Sequence, residues 1–242
     1  MKNSELTYKE IYGQPVSFQA INDTFDTIFK TLDEVFAEKY DEVIFTGCGT
    51  SLYLAQASAH AFSTCTGISA KGMCCSELYY FPETYVGNGK KVLVVPMTRK
   101  SYTTEVRMAI DKVRSYPGVK SLAITCDADS SKYNDYMLLS PETPEDSVIM
   151  TRSFTSMIYL AVVMSYYVGG KKEKIEQLKD YAANAESFLK ATDEMAKKIV
   201  AEHPECNLFI TLGQGINYGI ANECMNKMKE MSLSNSEAYY TL

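Results

Sequence analysis

Two short polar turns carry residue types and spacings that suit anion binding. The first turn, residues 47–51 (Gly-Cys-Gly-Thr-Ser), follows the β-branched and aromatic run 43–46 and precedes a helix-like stretch. Glycine reaches backbone angles that other residues avoid. The free N–H groups and positive dipole end of the following helix attract an anion. Thr50 and Ser51 also suit helix N-caps that hold no ligand, so both interpretations stay open.

The second turn, residues 98–104, follows the valine-rich run 92–97 and supplies Thr98, Lys100, Ser101 and Thr103. Neither turn matches a nucleotide motif. A P-loop requires Lys after its second Gly, and the dinucleotide fingerprint requires a third small residue where Leu52 stands. The first turn is therefore predicted to hold a phosphate group smaller than a nucleotide.

The elements around these turns alternate between strand and helix, which predicts an α/β fold: a three-layer αβα parallel sheet with helices on both faces. Ligands of such sheets bind beyond the carboxyl ends of the strands. Both turns follow strands at that end, so they are expected to face one crevice. The predicted helices are 5–39, 50–65, 105–115 and 151–168, the strands 43–46, 68–73, 92–97, 119–126 and 136–139, and the polar loop 127–134.

The strand-Gly-x-Gly pattern occurs again at residues 207–215, after a charged helical stretch, and it too is followed by a helix. This repetition indicates an internal duplication. The second copy is expected to stop after one strand and one helix, so the chain is interpreted as a truncated tandem protein. The predicted organisation is an N-terminal helical segment 1–40, a first domain 41–170, a helical connector 171–205 and the start of a second domain 206–242.

Composition excludes several classes of function. The chain has 242 residues and a net charge of -6 without a cluster of Lys and Arg, which disfavours nucleic acid. No apolar run approaches the length of a membrane span. Seven cysteines without framework spacing predict free thiols in a reducing cytoplasm. With two histidines and no Cys-x-x-Cys pattern, no metal and no other cofactor is predicted.

Five segments together resemble one family. Residues 9–15 are similar to an E-I-x-x-Q-P entry segment, 46–51 to a first phosphate turn, and 98–105 to an S-x-S-G-x-T turn. Residues 144–155 resemble the segment that leads into the next helix, and 223–230 fit E-x-x-x-K-x-K-E. On these motifs the chain resembles the sugar isomerase (SIS) domain family.

The resemblance implies an aldose/ketose isomerase or an aminosugar-phosphate deaminase, with or without amine transfer. Its substrate would be a hexose phosphate or amino-hexose phosphate, with no cofactor, in a cytoplasmic homodimer. A non-catalytic sugar-phosphate-binding or regulatory module is the alternative, because SIS domains also serve as sensors.

The resemblance also implies roles for individual residues. Glu230 would move a proton between C1 and C2 of the open-chain sugar, and Lys227 would polarise the site or pair with Glu223. From spacing alone, a solvated charged helix face is the favoured explanation of these three residues, and the resemblance favours the functional one. The implied phosphate ligands are Gly49, Thr50, Ser51, Thr98, Lys100, Ser101 and Thr103, and further substrate contacts are Cys48, Val148, Thr151 and Glu223.

The sequence departs from the family pattern in the second turn, where Thr98, Lys100 and Ser101 stand in place of Ser, Ser and Gly. Lys100 would either pair with phosphate as a point charge or fill the site. No residue matches the ring-opening histidine of the family, so the chain is expected to bind substrate yet catalyse poorly. Arg152 is expected either to reach the crevice or to cover a surface, and Cys48 to be a packed side chain or an activated thiolate.

Overall fold

A computed structural model describes residues 3–87 and 89–241 and confirms the α/β class. Its main sheet has five parallel strands in the order β2-β1-β3-β4-β5. Strands β1 and β3 are buried along their whole length. The strands are β1 Glu42–Gly47, β2 Ala70–Cys74, β3 Val92–Thr98, β4 Val119–Thr125 and β5 Tyr136–Leu139.

Helices cover both faces of this sheet, as a three-layer fold requires. Alternate β1 residues enter opposite cores: Val43 and Phe45 pack with α3, α4 and α8, whereas Ile44 packs with α5, α6 and α7. No helix of the described residues is long and apolar enough to cross a bilayer. The helices are α1 Asn3–Tyr12, α2 Gln14–Asn22, α3 Phe25–Val35, α4 Thr50–Thr66, α5 Cys75–Tyr80, α6 Pro82–Val86, α7 Thr104–Val113, α8 Arg152–Val168, α9 Lys172–Glu202 and α10 Ile216–Ser232.

Three local predictions differ from the structure. The helical stretch 5–39 is three helices, with one junction at Gly13; Pro15 lies in the first turn of α2, where its missing N–H costs nothing. The polar loop 127–134 contains a 3-10 helix, Ala128–Lys132, whose first turn is capped by the Asp127 carboxylate. Strand β2 begins and ends later than its predicted range.

The second copy contains a further strand, so the prediction that it stops after one strand and one helix is wrong. Strand β6, Leu208–Gly213, pairs in parallel with β7, Asn235–Tyr240, and α10 connects them. We call residues 42–74 the first unit and residues 208–240 the second unit. The predicted segments 1–40 and 206–242 include residues 1, 2 and 242, which lie outside the described residues.

The two units repeat one another in backbone detail. Gly49 has φ 55° and ψ -130°, and its counterpart Gly215 has φ 60° and ψ -131°. A Cβ on Gly47 would lie 2.4 Å from the Ser51 carbonyl oxygen, and one on Gly213 would lie 2.2 Å from that of Asn217. Helices α4 and α10 each have 17 residues and end in a left-handed residue. This agreement supports an internal duplication.

The units meet where α4 packs against α10. At Gly219 the backbones approach so closely that a Cβ would lie 2.6 Å from the Tyr53 carbonyl oxygen and 2.7 Å from the Ala57 nitrogen. Only a glycine fits this crossing without a shift of one helix. The close approach brings polar side chains of α10 to the N-terminal end of α4.

Candidate functional site

The first turn presents hydroxyl groups at the start of α4. Strand β1 ends at Gly47 and α4 begins at Thr50, so the N-cap is Gly49, which has no side chain to cap with. Thr50 and Ser51 therefore occupy the first helical positions, and each is only 7% exposed. A Cβ on Gly49 would meet nothing within 4 Å, which leaves the turn open on its outer side.

A cleft of about 150 Å³ separates the first turn from the second. Five of the residues predicted from sequence line it together: Cys48, Ser51, Thr98, Lys100 and Thr103. The remaining lining residues are Met97, Arg99, Tyr102, Val106 and Met150. The structure thus brings both polar turns to one crevice at the carboxyl ends of β1 and β3.

The second turn is held by a carboxylate that the sequence analysis missed. Asp127 Oδ2 accepts hydrogen bonds from Ser101 N at 2.9 Å and from Ser101 Oγ at 2.7 Å. These two bonds, first that of the backbone N–H, lower the pKa of Asp127. Thr98 Oγ1 donates to the Lys100 carbonyl oxygen at 2.7 Å. The position of Asp127, directly after β4, was the available signal.

The cleft has two positive side chains, of which Arg99 is paired with Glu145, and Lys100 is the other. Its side chain is exposed, and its Nζ lies 5.8 Å from the centroid of the Tyr102 ring. Among the described residues no carboxylate forms an ion pair with Lys100. A cation placed beside hydroxyl groups and a helix N-terminus favours a bound anion.

Three charged residues of α10, Glu223, Lys227 and Glu230, form what we call the charge cluster. Lys227 Nζ lies 2.8 Å from Glu223 Oε1 and 2.6 Å from Glu230 Oε2. Lys227 also donates to Thr50 Oγ1 at 3.0 Å, and Thr50 Oγ1 donates to Glu223 Oε1 at 3.1 Å. The cluster is therefore docked on the first turn and is not a fully solvated helix face.

The two carboxylates of the cluster have different surroundings. Glu223 is 4% exposed, and its Oε2 has no hydrogen-bond partner among the described residues. Burial raises the pKa of Glu223, and the bonds from Lys227 and Thr50 offset this only in part. The Glu230 side chain is 41% exposed. Glu230 is thus accessible to a ligand, whereas Glu223 faces the turn.

Not every predicted residue lies at the cleft. The charge cluster adjoins it through Thr50, whose hydroxyl also accepts from Asn226 at 3.2 Å, but does not line it. Val148 is 91% exposed, and Thr151 lies at the start of α8, where it donates to Glu145. Ser101 is turned towards Asp127.

Glu145 is a second carboxylate that the sequence analysis missed as a site residue. Its oxygens accept from Thr151 N at 2.7 Å, from Arg99 Nη1 at 2.9 Å, and from the N–H and hydroxyl of Ser153. Burial raises the pKa of Glu145, but the bonds from Ser153, Thr151 and Arg99 outweigh it, so the pKa is lowered. Glu145 fixes the second turn to the segment before α8.

The entry segment, residues 9–15, also stabilises the loop that precedes α8. Glu10, 6% exposed, accepts through Oε1 from the backbone N–H groups of Asp146 at 2.7 Å and Ser147 at 3.1 Å. Arg152 neither reaches the cleft nor covers a surface. It is 9% exposed and donates to Ser17 Oγ at 2.7 Å and to a main-chain carbonyl oxygen. Both motif residues position backbone segments.

Comparison with known sequences places this architecture in a family. The sequence model of the SIS domain matches residues 37–167, more than half of the chain. The protein therefore belongs to the SIS domain family, as its motifs predicted.

Individual relatives refine this assignment. The chain is 25% identical to the glutamine–fructose-6-phosphate aminotransferase (isomerizing) of Helicobacter pylori over 96% of its own length, but it spans only 40% of that relative. The structure of tagatose-6-phosphate ketose/aldose isomerase from Escherichia coli superposes with a TM-score of 0.82 at 20% identity, covering 98% of this chain and 69% of that one. Glucosamine-6-phosphate deaminase from Thermotoga maritima has a TM-score of 0.74 and 26% identity, covering 93% and 70%.

Proposed function

We propose that this chain is a phosphosugar isomerase that acts on a hexose phosphate or amino-hexose phosphate. The observation that carries the proposal is the contact between the charge cluster of α10 and Thr50 of the first turn. An anion-binding turn and a pair of carboxylates with a lysine thereby lie side by side. The names of the relatives support a sugar phosphate as the ligand.

The phosphate group would be bound between the two turns. The N–H groups at the start of α4, the hydroxyls of Ser51 and Thr103, and the Lys100 ammonium surround the cleft. A helix N-terminus with a nearby cation stabilises a doubly charged phosphate. The modest volume of about 150 Å³ favours a phosphate over a nucleotide, whose base would need further room.

The proton transfer would be performed by Glu230. In this proposal its carboxylate removes the proton from C2 of an open-chain aldose and returns it at C1, through an enediol intermediate. Lys227, hydrogen-bonded to Glu230 at 2.6 Å, would stabilise negative charge that develops on the substrate oxygens. Glu223 holds Lys227 from the other side, so it would act as a positioning residue.

Deamination and amine transfer are further forms of this proposal, since deamination would consume an aminosugar phosphate and amine transfer to a ketose phosphate would produce one. The proposal also includes that the protein is a cytoplasmic homodimer. The side chains of Tyr80 and Phe81, which are 69% and 56% exposed, support a protein contact near the carboxyl end of β2.

A non-catalytic sugar-phosphate-binding module is the second candidate, and the position of the charge cluster favours it, because none of its three residues lines the cleft between the turns. For either candidate, two hydroxyls of the turns already have partners. The Thr50 hydroxyl is fully engaged by Glu223, Asn226 and Lys227, and Ser101 is engaged by Asp127. Both hydroxyls would have to exchange these partners to contact a substrate.

Glu230→Gln separates the two candidates. Removal of a general base lowers turnover by about 10²–10⁴-fold. The dissociation constant for fructose 6-phosphate should stay unchanged, because Glu230 does not line the phosphate cleft. Deuterium incorporation at C1 and C2 in D₂O, followed by NMR, measures the proton transfer directly. Lys229→Gln, on the exposed side of the same helix, is the control.

Three outcomes are decisive. Exchange in the wild type that vanishes in Glu230→Gln supports the isomerase. Unchanged exchange in that variant removes Glu230 as the base. Binding of sugar phosphate without exchange in the wild type would favour the binding module.

A further inference from the structure

Two cysteines lie side by side at the cleft, and the proposed isomerisation uses neither thiol. In the register of the parallel strands β1 and β2, the last pair is Gly47 and Cys74, so Cys48 and Cys75 directly follow it, Cys48 in the first turn and Cys75 as the first residue of α5. Neighbouring strands are roughly 4.8 Å apart, and a disulfide requires about 4.4–6.8 Å between Cα atoms. The two backbones are thus at a distance that a disulfide can bridge.

The two thiols differ in access and in acidity. Cys48 is partly exposed and lines the cleft, whereas Cys75 is fully buried and accepts a hydrogen bond from Thr46 Oγ1 at 3.4 Å. The hydrogen bond from the Cys75 thiol, acting against burial, lowers the pKa of Cys48 to about 7. The same contact raises the pKa of Cys75. A thiolate therefore faces solvent while its protonated partner stands behind it.

The neighbouring Cys74 is oriented differently. Cys75 and Cys48 both contact the apolar cluster beneath α5 and α7, whereas Cys74 accepts from Ser76 Oγ at 3.2 Å. Both thiols act on Cys48, but the hydrogen bond from Cys75 is the largest influence that lowers its pKa and the one from Cys74 is minor. Cys75 rather than Cys74 is thus the partner of Cys48.

We propose that Cys48 and Cys75 form an oxidisable pair, and that a peroxide converts them to a disulfide in the wall of the sugar-phosphate cleft. The Cys48 thiolate attacks one peroxide oxygen and the O–O bond breaks. The other peroxide oxygen departs as hydroxide, and Cys48 becomes a sulfenic acid. The Cys75 sulfur then attacks the Cys48 sulfur and displaces the sulfenic oxygen, which departs as water with the Cys75 proton. Two thiols are oxidised by two electrons, and one peroxide is reduced to two waters.

The disulfide would change the cleft. A disulfide brings the two sulfurs to about 2.05 Å, closer than a thiol hydrogen bond does, and the flexible backbone at Gly47 and Gly49 would let the first turn follow Cys48 towards β2. This shift would move Ser51 and the start of α4 away from the second turn, and sugar phosphate would bind more weakly. This consequence rests on the proposed function, whereas the disulfide itself does not.

Peptide mapping tests the pair without any sugar. The full chain is treated with one equivalent of hydrogen peroxide, the remaining thiols are alkylated, and the disulfide-linked peptides are identified by mass spectrometry. We expect a Cys48–Cys75 link in the wild type and in Cys74→Ser, and none in Cys75→Ser. Exposed Cys206 reports general oxidation in the same sample.

Two results would overturn the proposal. In the first, Cys48 can still be alkylated completely after Cys206 has been oxidised. In the second, Cys48 forms a disulfide in the Cys75→Ser variant but not in the Cys74→Ser variant. Because Cys75 is buried, circular dichroism must show that Cys75→Ser is folded. If it is not, the map of Cys74→Ser decides the question, because Cys75 is then the one cysteine left in that peptide.

A thermal-shift titration with fructose 6-phosphate then tests the consequence. We expect the reduced protein to be stabilised, the oxidised protein to lose that shift, and dithiothreitol to restore it. An unchanged shift in protein with a mapped disulfide would refute the effect on the cleft. No shift in the reduced protein would count against the proposed function and leave the mapped disulfide standing.

Discussion

The first and second units have the same local backbone but very different surroundings. All six residues of β1 are buried, whereas along β6 exposed and half-buried side chains alternate, and Leu208, Ile210 and Leu212 are each more than half exposed. Strand β1 lies between β2 and β3 with helices on both faces. Among the described residues β6 pairs with β7 alone and is covered by α10. The glycine turn is thus encoded locally, while burial depends on neighbouring elements.

The units also divide the chemistry between them. The first turn carries Thr50 and Ser51, but the equivalent positions of the second unit hold Ile216 and Asn217. Conversely, Glu223 and Lys227 of α10 correspond to Ala57 and Ala61 of α4. One unit supplies hydroxyl groups at a helix N-terminus, and the other supplies the charged groups that dock on them. The two units thus contribute different groups to the candidate site.

The largest expected contrast concerns the two buried carboxylates, Glu145 and Glu223. Glu145→Gln should lower the free energy of unfolding at pH 7 by about 3 kcal/mol, because it leaves Arg99 without its buried counter-charge. Glu223→Gln should leave the free energy of unfolding unchanged or raise it. The substitution removes a desolvated carboxylate, and Lys227 retains its ion pair with Glu230. Urea unfolding of both variants measures the difference.

The contrast also has a pH dependence. The pKa of Glu145 is lowered in the folded protein from its ordinary value of 4.5. Its stabilisation is therefore fully present above pH 4.5 and is lost as the pH falls through the folded value. The penalty of Glu145→Gln should shrink below pH 4.5. A penalty that stays constant down to pH 3 would contradict the role assigned to this carboxylate.

A smaller difference is expected from the equivalent glycines Gly47 and Gly213. Alanine at either position would clash with a main-chain oxygen, at a cost of about 2 kcal/mol. Gly47→Ala should destabilise the whole sheet, because β1 is an interior strand that is buried along its whole length. Gly213→Ala should loosen the second unit alone. Hydrogen exchange of β1 and β6 amides distinguishes these effects, and equal loss of protection throughout both variants would show that the units unfold together.

The smallest effect is expected at the ends of α4 and α10. Gly67 has φ 74°, and its counterpart Leu233 adopts φ 55° although it is not a glycine. Because Leu233 is 88% exposed, Leu233→Gly removes left-handed strain without loss of packing and should stabilise the second unit by about 1 kcal/mol. The reverse change, Gly67→Leu, should destabilise. Differential scanning calorimetry measures both, and a stabilising Gly67→Leu would refute the argument.

Local patterns in the sequence predicted the parts of the fold that local physics determines. Buried apolar runs gave β1 and β3, and the glycine turns after them marked the carboxyl end of the sheet. Strand β7 was missed because it begins with the polar residues 235–237, whose pairing partner is β6. Its identity depends on that partner and not on its own periodicity.

The site was predictable only in part for the same reason. Hydroxyls within the turns were visible as sequence, and the family resemblance led to the charge cluster. The carboxylates that hold the turns were missed. Asp127 contacts Ser101, and Glu145 contacts Arg99, across long sequence separations. Such tertiary bonds leave no periodic signal, and an acidic residue in a polar loop looks the same with or without a buried partner.

The contact between Thr50 and Glu223 also has a consequence for the order in which the chain folds. Its partners are 173 positions apart, whereas the strands of the main sheet pair with near neighbours along the chain. Contacts of long sequence separation form slowly because a large loop must close first, and a growing chain folds from its N-terminal side. The first turn is therefore complete before α10 emerges from the ribosome. On this schedule, the Thr50 hydroxyl stays open to solvent until α10 has been synthesised and docks on it.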